Sequence, residues 1–133
     1  METFGDAWSL LIVRDIVFWG KRTYKEFLAS GEGISTNVLA ARLAHLEARG
    51  ILARSPHPAD RRRELYTLTE SGLGLIPVLL EMSGWSALND AQTTAPQAFV
   101  QAVYADRAKM YALVQDTVRR GGSLFGEGGL LAR

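Results

Sequence analysis

Three consecutive arginines, Arg61, Arg62 and Arg63, follow Asp60 near the middle of the chain and close a segment rich in guanidinium groups. Between residues 35 and 63 there are six arginines (42, 49, 54, 61, 62 and 63) against two acids (Glu47 and Asp60). That is a local balance of +4 in a chain whose formal net charge is +1. Guanidinium groups gathered on one stretch neutralise phosphates by charge and by forked hydrogen bonds, so the chemistry on offer is contact with a polyanion. A solvated loop also carries such runs, and the elements around the run decide between the two. Catalytic chemistry has less to draw on. His45 and His57 are the only histidines and there is no cysteine, which leaves no metal set of the usual spacing. No glycine loop precedes a phosphate-binding Lys-Ser/Thr pair, and Asp15, Glu26, Glu47 and Glu70 show no spacing that singles out an acid and a base. No enzyme activity and no cofactor are expected.

The element ahead of the arginines reads as a short amphipathic helix. Ser35 follows Gly33-Ile34 in the N-cap position, Val38, Leu39, Leu43 and Leu46 recur at spacings of three and four, and Arg49-Gly50 supplies a basic last turn and a stop. With that stripe on a core, Asn37, Ala40, Ala41, Ala44 and His45 turn to solvent. This face is slim, made of methyl groups and a few polar tips, and it suits entry into a major groove about 12 Å wide. An alanine-rich helix packs equally well on another helix, so this face alone leaves both readings open. Beyond it Ile51, Ala53 and Ser55 alternate with Leu52 and Arg54, Pro56 and Pro58 interrupt, and Glu64 to Leu68 resumes with β-favouring residues. The pattern predicts a hairpin whose loop, around residues 56 to 63, is a wing bearing the arginine run. So placed, the run reads as a phosphate or minor-groove contact.

Upstream, Asp6 is positioned to cap a helix reaching about Trp19, apolar nearly all round, and Gly20 ends it. Lys21 and Arg22 fall in a connector able to form a small third strand, and Thr23 to Ser30 holds a short second helix closed by Gly31 and Gly33. Downstream, Thr69 caps a further helix toward Trp85, with a kink expected near residue 73 because Pro77 lies past its first turn. The fold class is mainly α with a small β-hairpin. A winged helix-turn-helix domain covers residues 1–88, and a C-terminal helix and tail cover 89–133.

The chain resembles the HxlR-type winged helix-turn-helix transcription regulators of bacteria from about Gly5 to Trp85, through GDAWSLLIVRDIVFWG, KRTYKEF, GISTNVLAARLAHLEARGIL and RRELYTLTESGLGLIPVL. The resemblance implies a homodimer that sets two recognition helices in successive major grooves of double-stranded DNA. It makes Ser35, Thr36, Asn37, Ala40 and Ala41 the groove-facing start of the third helix and Arg61 to Arg63 the wing, with His45 on the same helix. Arg42 matches a basic residue common in the pattern, yet its place beside the apolar stripe equally suits it to hold a neighbouring helix. Many such regulators carry a reactive cysteine ahead of the first helix. Here the first helix starts within six residues of Met1 and no cysteine is present, so thiol chemistry is not the expected switch. The dimer contact is then expected elsewhere, or the start is internal to a longer natural chain.

The C-terminal third offers that contact. After a break at Asn89 to Thr94, Pro96 suits a first helical turn, and the segment runs to Arg120 without another Gly or Pro. Val100, Tyr104, Arg107, Tyr111, Val114 and Val118 repeat at 4-3-4-3-4, flanked by Phe99, Val103, Met110 and Leu113. A long dimerisation helix is expected, followed by a glycine-rich tail flexible at its end, in which Leu124, Phe125, Leu130 and Leu131 are able to dock. Trp8, Trp85, Tyr104 and Tyr111, with Trp19 and Phe99, could line an apolar pocket for a small aromatic effector, Tyr104 and Tyr111 supplying its polar handles; aromatics at helical spacing also simply build cores. The composition, 47% hydrophobic and 22% charged, excludes general disorder. No apolar run approaches a membrane span and Met1-Glu2-Thr3 lacks a basic leader, so a cytoplasmic location is expected. Two other classes fit the same features: a MarR-like ligand-responsive dimer, and a winged-helix module that binds protein rather than DNA.

Overall fold

In the computed structural model, residues 6–30, 33–89, 97–126 and 128–131 are described. Met1 to Thr3, the Gly31 turn, the break at 90–94 and Pro96 lie outside them. Helix α1 (Ala7–Trp19) begins where the Asp6 carboxylate accepts from the Ser9 amide at 3.0 Å, and it ends at Gly20, whose φ of 72° is the left-handed conformation glycine adopts without strain. Helix α2 (Tyr24–Leu28) opens with a capping box: Thr23 accepts from the Glu26 amide while the Glu26 carboxylate accepts from the Thr23 amide. Helix α3 (Thr36–Ala48) is capped by Ser35, and Ile51 N–H donates to Leu46 O at 2.9 Å as the chain turns out of it.

Strands β1 (Leu52–Pro56) and β2 (Glu64–Leu68) pair antiparallel, with Leu52 opposite Leu68 and Pro56 opposite Glu64. Lys21 and Arg22 do not make the expected third strand. The described sheet has two strands, and Arg22 contributes a single rung, its carbonyl accepting from the Tyr66 amide at 2.7 Å. Helices α4 (Glu70–Leu73) and α5 (Ile76–Asn89) are separated near residue 74, a full break where a kink is expected. Pro77 has no N–H, and its ring would meet the carbonyl of Leu73, so the regular helical hydrogen-bond ladder is interrupted at this point.

The long terminal helix is corrected. Two helices, α6 (Gln97–Ala105) and α7 (Arg107–Arg119), meet at Asp106, which sits in an extended conformation and accepts from the Lys109 amide at 3.1 Å. A residue that caps the next helix in this way interrupts the preceding one. The break lets both helices lie on the same core: Phe99, Val100, Val103, Met110, Val114 and Val118 are buried together with Ile16 and Val17 of α1, Leu39 and Leu46 of α3 and Leu80 of α5. Residue 88 therefore divides the chain without dividing its hydrophobic core. Residues 70–89 are long and apolar enough by composition to cross a membrane, contrary to the sequence expectation. Ile76, Leu79, Leu80 and Gly84 of that stretch are buried in the chain's own interior, while Val78, Met82, Trp85 and Leu88 are exposed.

Candidate nucleic-acid interface

On α3 the apolar stripe and the small-residue face separate as the helical period demands. Leu39, Leu43 and Leu46 are buried, whereas Ser35, Thr36, Asn37, Ala40, Ala41 and Ala44 are exposed and His45 is half-buried. Exposure shows that this small-residue face does not pack on a neighbouring helix among the described residues. Ser35 accepts from the Val38 amide at 3.3 Å, so its hydroxyl is engaged in holding the first turn. Such a cap is worth about 1 kcal/mol. Tyr24 of α2 donates its hydroxyl hydrogen to the Thr36 carbonyl at 3.1 Å, tying the two helices of the helix-turn-helix near the start of α3. Arg42 turns away from this face: its Nε stands 3.3 Å from Asp6 Oδ1, so the guanidinium braces α3 against the start of α1, although Nε lacks hydrogen-bond geometry.

The hairpin leaves α3 through a rigid base. Thr69 Oγ1 donates to the carbonyls of Gly50 and Ile51, the Thr69 amide donates to Ile51 O at 3.0 Å, and Arg54 of β1 pairs with Glu47 of α3 at 3.1 Å. The loop at its tip is folded on itself. His57 N–H donates to Arg63 O and Arg63 N–H to Asp60 O, each at 3.0 Å, and His57 Nδ1 accepts from the Ala59 amide. Asp60 is the organising residue. It accepts from the backbone N–H and the Nε of Arg62, in that order the main reasons its carboxyl is held below the ordinary aspartate range.

Charge on the wing is thus unequal. Arg62 is fully exposed but shares its charge with Asp60, whereas Arg61 and Arg63 are exposed and form no ion pair among the described residues. Of the six arginines that concentrate charge between residues 35 and 63, Arg42, Arg54 and Arg62 have carboxylate partners. The unspent positive charge sits at the tip.

Each acid considered for catalysis has a partner in an ion pair or a helix cap. Asp15 pairs with Arg14 and Lys21, Glu26 completes the capping box, Glu47 pairs with Arg54 and Glu70 with Arg119. Among the described residues no group of three or more His, Cys, Asp or Glu side chains could hold a metal ion.

Of the aromatic residues considered for an effector pocket, Trp19 and Phe99 both pack on Phe125, at 5.6 and 5.3 Å between ring centroids. Trp8 lines a dimple with Leu11, Ile12, Asp15, Phe27 and Leu39 that has room for little more than a water molecule. Trp85 projects outward from α5, while Tyr104 lies under the Arg107 guanidinium at 4.5 Å and Tyr111 donates to Glu81. Tyr111 and Arg107 form a polar clasp between α7 and Glu81 of α5, and Tyr104 of α6 stacks under Arg107. Two features escape a reading of the sequence alone: the exposed apolar face of α5 and the position of Arg22. The first had a faint signal, since α5 is apolar on more sides than one core needs. The second had none.

A capped three-helix core, a two-stranded wing and an outward slim third helix define a winged helix-turn-helix protein. The chain belongs to the HxlR-like helix-turn-helix family, whose model matches residues 3–94. It is 35% identical over 85 residues to an uncharacterized HTH-type transcriptional regulator of Mycobacterium tuberculosis, a match covering 64% of this chain and 52% of that protein. The chain thus spans about half the length of that relative. The HTH-type transcriptional regulator YodB of Bacillus subtilis is 35% identical over 82 residues, covering 62% of this chain and 72% of YodB. The solved structure of reduced YodB superposes with a TM-score of 0.55 at 30% identity, over 68% of this chain and 87% of that one. The crystal structure of MarR shares the fold alone, at 21% identity and a TM-score of 0.52, over 89% of this chain and 82% of MarR.

Proposed function

We propose that this protein is a sequence-specific duplex-DNA-binding transcriptional regulator that acts as a homodimer in the cytoplasm, without enzymatic activity. The reading is carried by one observation: the exposed face of α3 from Ser35 to Ala44 is made of small side chains, and the wing that follows carries two exposed arginines that form no ion pair among the described residues. Small side chains let α3 approach base edges in the major groove, with Thr36 and Asn37 as the polar tips of its first turn. Arg61 and Arg63 meet phosphates or the minor groove. The relatives' shared description as transcriptional regulators supports the same reading.

The homodimer is assigned to α5 instead of α7. Val78, Met82, Trp85 and Leu88 recur at 4-3-3 along α5 and are 48%, 50%, 63% and 64% exposed, an apolar ridge that a monomer leaves in water. The spacing of Met82 and Trp85 suits antiparallel pairing about a two-fold axis, which sets each against the other across the contact. The sequence holds no cysteine, so the proposal includes no thiol switch, and it includes no aromatic effector. The test is titration onto duplex DNA over a range of salt. Affinity falls steeply with salt in the wild type, and alanine at Arg61, Arg62 and Arg63 flattens the log–log slope by about 2 per protomer, close to one unit for each phosphate the wing no longer neutralises. An unchanged slope removes the wing from the interface.

A further inference from the structure

Arg22 lies in the connector between α1 and α2, and three separate parts of the molecule meet on it. Its carbonyl accepts from the Tyr66 amide of β2 at 2.7 Å. Its amide donates at 3.1 Å to the Glu26 carboxylate that completes the α2 capping box. Its Nη2 donates to the Gly122 carbonyl at 3.2 Å, one hundred residues away in sequence. The guanidinium is largely enclosed, its burial pushes its pKa below the ordinary arginine value, and Nη1 is buried without a partner among the described residues. A charge so placed has strict positional demands, because moving it breaks the bond to Gly122 without restoring full hydration.

The segment that begins at Gly122 is a fitted strap. Leu124 N–H donates to Val17 O at 3.0 Å and Phe125 N–H to Phe18 O at 2.7 Å, satisfying carbonyls that the last turn of α1 cannot satisfy itself. Leu124 is fully buried, and the Phe125 ring meets Phe18 and Phe99 edge-on at 5.6 and 5.3 Å. At Gly126 a Cβ would stand 2.7 Å from the Trp19 carbonyl oxygen, so this approach is open only to glycine. Leu124 and Phe125, residues of the tail expected to be able to dock, are bound to α1 by backbone and side chain alike.

We propose that Arg22 is a positioning residue for the wing, through which the docked C-terminal strap determines where β2, and with it Arg61 and Arg63, stands relative to α3. The strap holds the Arg22 side chain, and the Arg22 carbonyl holds the Tyr66 amide. Strap and wing are coupled although they share no direct hydrogen bond among the described residues. The consequence for DNA rests on the function proposed above; the coupling itself does not.

Amide hydrogen exchange on the full chain tests the coupling. Arg22→Met keeps the apolar stem and removes the donors, and Gly126→Val drives the strap off α1, which exchange at Phe125 reports. Each variant is expected to speed exchange at Tyr66 by about tenfold or more while Leu39 and Leu43 of α3 keep their protection. Unchanged exchange at Tyr66 in a variant whose Phe125 is released, or in Arg22→Met, overturns the proposal. Loss of protection throughout the chain in both variants also overturns it, since the link would not be local. A second arm titrates the same proteins onto a duplex of mixed sequence. Arg22→Met is expected to weaken binding about fivefold in the wild type and to add nothing where Arg61 and Arg63 are already alanine. An equal loss in both backgrounds makes Arg22 a phosphate contact and overturns the positioning role. A wild-type chain that binds no duplex defeats the DNA reading and leaves the exchange result standing.

Discussion

The central and C-terminal thirds of this chain use the same materials, helices with an apolar stripe and several arginines, and put them to opposite ends. In the C-terminal third the stripe is spent inside the molecule, where Val103 and Val114 are fully buried, and each described arginine is committed: Arg107 to Glu81, Arg119 to both oxygens of Glu70, Arg120 to Asp116. In the central third the stripe of α3 is also buried, but the opposite face stays clear and the wing ends in Arg61 and Arg63, which form no ion pair among the described residues. A cation already paired has little to offer a phosphate, because any new contact must first break the old one. Where a molecule leaves charge unpaired and side chains short is where an anionic partner fits. Mere abundance of arginine does not mark the place.

The sharpest way to break this contrast is a matched pair of substitutions. Ala41→Glu, on the clear face of α3, is expected to leave the melting temperature within a few degrees of wild type and to weaken duplex binding about 100-fold or more, by repulsion and by blocking close approach. Val114→Asp, on the buried stripe of α7, is expected to cost more than about 4 kcal/mol and unfold the domain, because a charge would be enclosed without a partner. Circular dichroism and a binding titration read both; an Ala41→Glu chain that binds normally would show that the two regions do not differ in this way. Next in size is Trp85→Glu on the α5 ridge. Sedimentation equilibrium should show monomers, with lower apparent DNA affinity and an intact fold, whereas a persistent dimer would move the contact off α5.

A smaller effect is expected at Asn37→Ala, roughly 1–3 kcal/mol confined to one base position in each half-site. Equal loss on every sequence would make Asn37 a positioning contact instead of a reader. The smallest concerns the α5–α7 clasp. The Tyr111 hydroxyl first, and Arg107 after it, hold Glu81 below its ordinary 4.5, while the bond to Glu81 pushes Tyr111 above its ordinary 10.0. Glu81 therefore adds stability above pH 4.5 that is lost as pH falls through its depressed value. Tyr111 adds stability below pH 10.0 that is lost as pH rises through its raised one. Glu81→Gln should lower the melting temperature slightly at neutral pH, and the difference from wild type should vanish in acid. A difference that persists there would mean the clasp acts by packing alone.

Much of the candidate interface is legible in the residues because it follows from local rules. Ser35, Leu39, Leu43 and Leu46 announce a cap and a stripe, and the 3.6-residue period then turns Asn37, Ala40 and Ala41 outward. Asp6, Thr23 and Thr69 announce three more helix starts, and Pro56, Pro58 and the arginine run announce the wing. The C-terminal third misleads for a physical reason. A 4-3-4 stripe specifies a helix with an apolar side and is silent on whether that side meets its own domain or a second molecule.

What the residue order determined by itself is the set of capped helices, the hairpin and the face of α3 turned to solvent, because capping, helical periodicity and strand alternation act over neighbours in the chain. Only the tertiary structure decided which arginines keep their charge unshared, that Asp106 splits the terminal segment so that its stripe fills the core, and that Arg22 joins strap to wing. These depend on groups tens of residues apart arriving within hydrogen-bonding distance, as Arg22 and Gly122 do at 3.2 Å, and no local rule encodes such a meeting.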